Sequence, residues 1–462
     1  MSQTEKKRVS ATDMTNGSPY RLILIFSIPL LIGNIFQQLY NMVDSIVVGN
    51  FIGEKALAAV GTGFPIIFMM SSLFIGIGTG ASVMVSQYFG ARMYDKVDET
   101  VNTIYTALMV AILPLTIIGV CISGPLLRLI NTPNDGTLQM AETYMIVIFI
   151  GIIGNLGYNI NAGILQGLGD SRTSLLFLLI ASIINTVLDL VFTLVFHMGV
   201  MGVALATIIA QLVSWLFGIF FINRHYDFIH IDVRKHFFDK VLFAQAMKLG
   251  IPSGIQQALF SVGILVMQSL VNSYGSAFMA GFNGANKIDT FAFMPVQSFA
   301  TAVTSYTGQN IGAGKMDRIR HGIRASIFLS CLVCIVLGGF VYFTSDLIMR
   351  LFSQNQAVID SGVAYLHCVL PFYCLLAISF MFNSVLRGAG EMVVPMVSSM
   401  ISLWLARVPA AYFFANMWGG ETMYYSYAVG WALGILISGG WYFSGRWKNK
   451  GILHHPEPAL PE

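Results

Sequence analysis

Five charged residues stand inside long apolar stretches: Asp44, Asp189, Lys287, Asp289 and Arg407. A charge at the centre of a membrane helix costs at least about 2.5–3.5 kcal/mol, so each needs a reason. Asp44 closes the run Gln37-Gln-Leu-Tyr-Asn-Met-Val-Asp44, and Tyr40 lies one turn earlier on the same helical face. Asp189 has Asn185 four residues before it. Two carboxylates sharing a low-dielectric pocket with amide and hydroxyl groups support two chemistries. They can share a proton, because neighbouring like charges resist ionising together. They can also coordinate a hard cation such as Na+, which takes oxygen ligands. The plainer alternative is that each aspartate hydrogen-bonds a neighbouring helix. Lys287 and Asp289 are two apart and diverge on a helix. Lys287 either pairs with another helix or lines a cavity of the second half. For Lys287, Asp289 and Arg407 an interhelical ion pair or a snorkelled end stands beside any functional role.

Other residues mark structure more than chemistry. Pro29 stands fifteen residues before Asp44. It removes a helical hydrogen bond and permits a bend, which makes it a candidate hinge as well as a packing kink. Gly76, Gly78 and Gly80 imitate a phosphate loop but sit in an apolar helix with no preceding strand, where close helix packing explains them. Cys331 and Cys334 form a lone C-x-x-C in a continuously hydrophobic segment, and packing again explains them better than metal or redox chemistry.

The elements that must position these residues are membrane helices. The chain has 462 residues, 56% hydrophobic and only 10% charged, where soluble proteins carry about 25% charged. Its mean hydropathy is +0.72. Stretches long enough to span a bilayer lie near 22–46, 56–86, 101–124, 140–165, 173–196, 199–222, 243–272, 278–305, 324–344, 360–385, 392–415 and 422–445. With the N-terminus inside, twenty of the 25 basic residues fall in inside segments, among them Lys6, Lys7, Arg8, Arg234 and Lys235. Only Lys55, Arg128 and Arg350 fall outside. That bias puts both termini in the cytoplasm. The expected organisation is a cytoplasmic tail over 1–21, a first lobe over 22–222, a cytoplasmic linker over 223–242, a second lobe over 243–445 and a tail over 446–462. The first twenty residues lack an apolar core with a cleavage site, so the first helix itself directs insertion.

The two halves repeat. Gln87, Gly90 and Ala91 recur as Gln309, Gly312 and Ala313, Gly167-Leu-Gly-Asp170 as Gly388-Ala-Gly-Glu391, and Ser27-Ile-Pro29 as Gly250-Ile-Pro252. The separations stay near 222 residues, in the same order. Six helices per repeat make the halves parallel, an arrangement transporters use to rock one half against the other around a site between them. No Walker A, G-x-S-x-G or H-E-x-x-H motif is present. Any transport would therefore run on an ion gradient, unless a separate ATPase subunit powers it.

The run from Pro29 through Gln37 and Asp44 to Gly49, the paired Gln-x-x-Gly-Ala motifs and the two six-helix halves resemble the multidrug and toxic compound extrusion (MATE) family, in its DinF-like bacterial branch. The resemblance runs from about Pro19 to Lys450. It implies an all-α polytopic fold whose N-lobe and C-lobe flank a central V-shaped cavity. It also implies a secondary antiporter exporting amphipathic, mostly cationic drugs in exchange for H+ or Na+. Asp44, Asn185, Asp189 and Thr207 match the positions of that branch's N-lobe cation site, and Tyr40 and Asn159 match polar residues near it. The NorM-like branch carries acidic residues on the seventh and tenth helices, and the matching stretches here, Gly250–Val271 and Leu366–Arg387, contain none. Coupling is accordingly expected in the N-lobe, with Lys287, Asp289 and Arg407 available for a separate C-lobe role. The chain is expected to be no enzyme, to need no cofactor beyond the coupling ion, to meet lipid but no nucleic acid, and to work as a monomer in a bacterial cytoplasmic membrane. The alternative is a flippase for lipid-linked oligosaccharide or peptidoglycan precursors, which only Lys287 and Arg407 could hold by a pyrophosphate. A membrane enzyme or receptor would need a reactive cluster, and it would leave the repeat unexplained.

Overall fold

A computed structural model describes residues 11–232 and 237–453. Lys6, Lys7, Arg8, Arg234 and Lys235, together with the tail beyond residue 453, lie outside the described residues. Among the described residues the chain is all-helical, its helices joined by short turns and irregular connections. Nine helices are long and apolar enough to cross a membrane: Pro19–Ile52, Glu54–Gly90, Tyr94–Leu129, Ser171–Val195, Gly199–His225, Lys240–Asn272, Met316–Arg350, Gln356–Gly388 and Val393–Trp418. A tenth span is the bent pair Thr137–Ile150 and Ile152–Gly167, broken by 54° at Gly151. Ser276–Gly312, diluted by its many Ser, Thr, Asn and Gln residues, and Ser426–Phe443 complete the twelve expected rods. They are numbered first to twelfth below. Lipid is the solvent for their outer faces. Val110, Leu113 and Ile117 of the third helix, for example, share one face and are 71%, 66% and 54% exposed.

The chain divides into two compact units, one built on Ile32–Gly254 and the other on Met14–Leu31 with Ile255 onward. The division therefore falls inside the first and seventh helices, two residues past Pro29 and Pro252, and not in the 223–242 connection. The connection is tied to the first unit: the His230 amide donates to Asp98 at 2.6 Å and the Asp239 amide to Thr103 at 3.2 Å. The opening segment is tied to the second. Met14 donates its amide to Gln309 at 2.8 Å, Lys315 donates to the Thr15 carbonyl at 2.9 Å, and Arg318 donates to the Gly17 carbonyl at 3.0 Å. Ile23 and Phe26 follow into the second unit's apolar core.

The repeated motifs are helix ends. Gly169 and Gly390 take the left-handed conformation, φ +79° and +88°, which costs a residue without a side chain little. The next amides, of Asp170 and Glu391, then bond back to Leu165 and Leu386 at 2.8 and 2.9 Å. The acid that follows each glycine caps the next helix. Asp170 accepts from the Thr173 amide at 3.0 Å, and Glu391 accepts from the Val393 amide at 3.2 Å. The glycines of the second helix act as packing surfaces. A side chain at Gly76 would collide with the Gly250 carbonyl, one at Gly80 would stand 2.9 Å from the Ala246 carbonyl, and one at Gly78 would stand 3.2 Å from that of Asn159. Cys331 points its sulfur at the Cys374 carbonyl, and Cys334 lies in the second unit's core.

Candidate functional site

Asp44 lies near the C-terminal end of the first helix, in the part that belongs to the first unit, and Asn185 and Asp189 lie on the fifth. Four-residue spacing puts Asn185 directly over Asp189. Both are almost fully buried, at 2% and 1% exposure, so their polar atoms must find partners inside the protein. Asn185 bridges two helices. With its amide nitrogen toward Asp189 it donates to Oδ2 at 2.7 Å, and its oxygen then accepts from the Thr207 backbone amide at 3.1 Å. Thr207, on the sixth helix, donates in turn to the Val203 carbonyl at 3.0 Å.

The carboxyl groups of Asp44 and Asp189 come within hydrogen-bonding range of each other. Asp44 Oδ1 and Asp189 Oδ1 are each buried with no partner. Two acceptors without a donor between them form an attractive contact only around a proton or a metal cation. Tyr40 completes the ring, its hydroxyl reaching Thr207 and lying near both carboxyls. Four of the residues singled out in the sequence are thus brought together with Tyr40. Asn159 is not. Its amide donates to the Asn155 carbonyl at 2.8 Å, on its own helix.

Two features of this site had no sequence signal of their own. Tyr144 of the fourth helix is buried against Val48, Val203 and Ala204 and lies near Asp44, Tyr40 and Asp189. The only hint was its repeat mate, Tyr365, 221 residues on. The second feature is a π-helical turn just beyond each aspartate, at Val48–Ile52 and Val191–Val195. The two turns pack on one another. Such turns recur at functional sites because they re-aim the residues around them.

In the second unit, Asp289 of the eighth helix faces Tyr365 and Arg407. Asp289 Oδ1 and Arg407 Nε are buried and unpartnered, while the guanidinium of Arg407 lies flat on Tyr427 at 3.2 Å from the ring centroid. Arg407 ends a third π turn, Ile401–Arg407. Lys287 is exposed and diverges from Asp289, as their spacing requires.

The sequence model of the MatE family matches residues 29–191 and 252–413, one copy per half. The chain belongs to the MatE family. It is 30% identical to the "probable multidrug resistance protein YpnP" of Bacillus subtilis over 95% of this chain and 98% of that one. It is 28% identical to the "probable multidrug resistance protein YoeA" of the same organism over 97% and 99%. The fold matches the outward-facing structure of a multidrug resistance MATE transporter, with a TM-score of 0.88 at 23% identity over 95% and 98% of the two chains. The chain is a polytopic membrane transporter of MATE fold, and both matched segments begin at the prolines of the first and seventh helices.

Proposed function

We propose that the protein is a secondary active antiporter of the cytoplasmic membrane that exports amphipathic, mostly cationic compounds, driven by H+ or Na+ bound between Asp44 and Asp189. The observation that carries this reading is the close approach of the Asp44 and Asp189 carboxyls on two helices, with one buried oxygen of each left unpartnered. The multidrug resistance named for the relatives supports the substrate class.

Without a bound cation the two carboxylates repel across a poorly screened site. A proton or Na+ between them cancels that repulsion and draws the first helix toward the fifth. Asn185 holds Asp189 in place through its amide, and Thr207 holds Asn185. The movement acts on the part of the first helix beyond Pro29, where the missing amide leaves the Ile25 carbonyl without its helical donor and the rod bends most readily. A cation held at the pair removes the charge that attracts a cationic drug. Ion and drug therefore disfavour each other, which is the thermodynamic requirement for exchange.

The test uses proteoliposomes in which proton and sodium gradients are imposed separately while ethidium movement is followed. Dye movement should follow one gradient and vanish in Asp44→Asn. If no cationic dye moves under either gradient, the multidrug reading fails.

A further inference from the structure

Within the second unit, a cavity of about 520 Å³ opens beside the start of the first helix, lined by Ser18, Pro19, Tyr20, Arg318, His321 and Arg324. Its charge is one-sided. Arg318 is committed to the wall, donating to the Met14 and Gly17 carbonyls and to Asn310. His321 and Arg324 are exposed on one face of the ninth helix. Across from them the first helix begins at Pro19, and its first internal bond is from the Leu22 amide to the Ser18 carbonyl, at 3.1 Å. The amides of Tyr20 and Arg21 precede that bond and are first-turn donors without a partner within the helix. Asp317, one turn before His321, is answered by Arg320 at 3.7 Å, and its carbonyl meets His321 Nδ1 at 2.9 Å, which leaves Nε2 for a ligand.

Two apolar stripes run away from the cavity. On the ninth helix Phe328, Leu332 and Ile335 continue the face that carries Arg324 and are 58%, 46% and 63% exposed. On the first helix Tyr20, Leu24 and Ile28 share a face and are 48%, 39% and 45% exposed. The rings of Tyr20 and Phe328 meet edge to face at 6.3 Å, which lays the stripes side by side. From Arg324 to Ile335 the helix rises about 16 Å, close to the depth of one leaflet's hydrocarbon, about 15 Å. The ligand that matches an anion-seeking head and a one-leaflet apolar tail is an anionic phospholipid.

We infer that this cavity and its two stripes form a binding site for one anionic phospholipid of the cytoplasmic leaflet, its phosphate held by Arg324, His321 and the first turn of the first helix. Free phosphate shares the head chemistry but has no use for the stripes. The site touches neither Asp44 nor Asp189, and it stands whether or not the antiport reading does.

The full-length protein is purified in detergent and incubated with equal amounts of phosphatidylglycerol and phosphatidylcholine. Lipid adducts are then counted by native mass spectrometry. Wild type should retain one phosphatidylglycerol preferentially, and removing the positive charge of Arg324 should weaken retention about fivefold. Arg324→Gln with His321→Gln should therefore lose the preference, Arg324→Lys should keep it, and Phe328→Asn should lose adducts without loss of charge. Both side chains are exposed, so unfolding temperature in phosphatidylcholine should stay at the wild-type value, which separates lost binding from lost folding. Equal retention of the two lipids, or an unchanged preference in the double variant, overturns the inference. Displacement of phosphatidylglycerol by millimolar inorganic phosphate assigns the site to the free ion and overturns it too.

Discussion

At the residue scale the coupling site we propose depends on what each side chain leaves unpaired. Asp189 has one oxygen met by Asn185 and one unpartnered. Asn185→Ala orphans both, and an unmet buried acceptor costs about 1–3 kcal/mol. Ion-driven dye transport should fall about tenfold or more, with protein still reaching the membrane. Thr207→Val keeps the shape, removes only the hydroxyl, and should fall less. Asp289→Asn separates the two clusters. Coupling resides in the first unit on our reading, so this variant should keep the wild-type dependence on the driving ion. Transfer of that dependence to Asp289 would move the coupling site into the second unit. The grouping of Asp44, Asn185 and Asp189 was readable because charged groups in apolar helices are costly and four-residue spacing puts Asn185 over Asp189; Thr207 came only as a match to a family pattern. Tyr144 was not legible, because a tyrosine in a greasy segment carries no cost that marks it. Asn159 was a match to a family pattern, and its own side chain bonds within its helix.

At the element scale, the existence of the helices was legible from hydropathy but their ends were not, since Tyr94–Leu129 and Met316–Arg350 run five to eight residues past the expected 101–124 and 324–344 at each end. What no pattern distinguishes is a π turn from an α turn, since the same apolar residues serve i→i−5 and i→i−4 bonding. The amide of Gly53 reaches the Val48 carbonyl and that of Phe196 the Val191 carbonyl, each five residues back. Pro29→Ala restores a backbone donor inside the first helix. It should slow dye exchange with dye affinity unchanged, read as turnover against equilibrium binding, and equal turnover would remove Pro29 as a hinge. The repeat makes a sharper prediction at the end of the second helix. Gly314 adopts φ +69°, and its mate in the first half is Arg92, held at φ +59°. A side chain in that region costs about 1–2 kcal/mol, partly offset by the greater freedom of an unfolded glycine. Arg92→Gly should therefore raise thermal stability by about 0.5–1 kcal/mol, seen as a higher unfolding temperature in detergent.

At the scale of the whole molecule, the repeat announced two halves, but the compact units are not those halves. Each unit borrows the leading part of the other half's first helix, and the exchange falls just past Pro29 and Pro252. Sequence could not show this, because hydropathy locates a helix without saying which neighbours its ends pack on. The exchange has a consequence for folding. A fragment ending in the 223–242 connection lacks Leu242, Ala246 and Leu249, which are 4%, 1% and 6% exposed in the intact chain, and lacks the Gly250 surface that Gly76 requires. The complementary fragment lacks Met14, Ile23 and Phe26, which are 0%, 0% and 2% exposed in the second unit's core. Each fragment alone keeps a packed unit with a missing helix end, and packing is the main force between helices in lipid. Either fragment expressed alone should be degraded, and the two expressed together should accumulate and restore dye efflux. Stable accumulation of one fragment alone would show that the borrowed helix ends are dispensable, and the exchange would then be only a feature of the path of the chain.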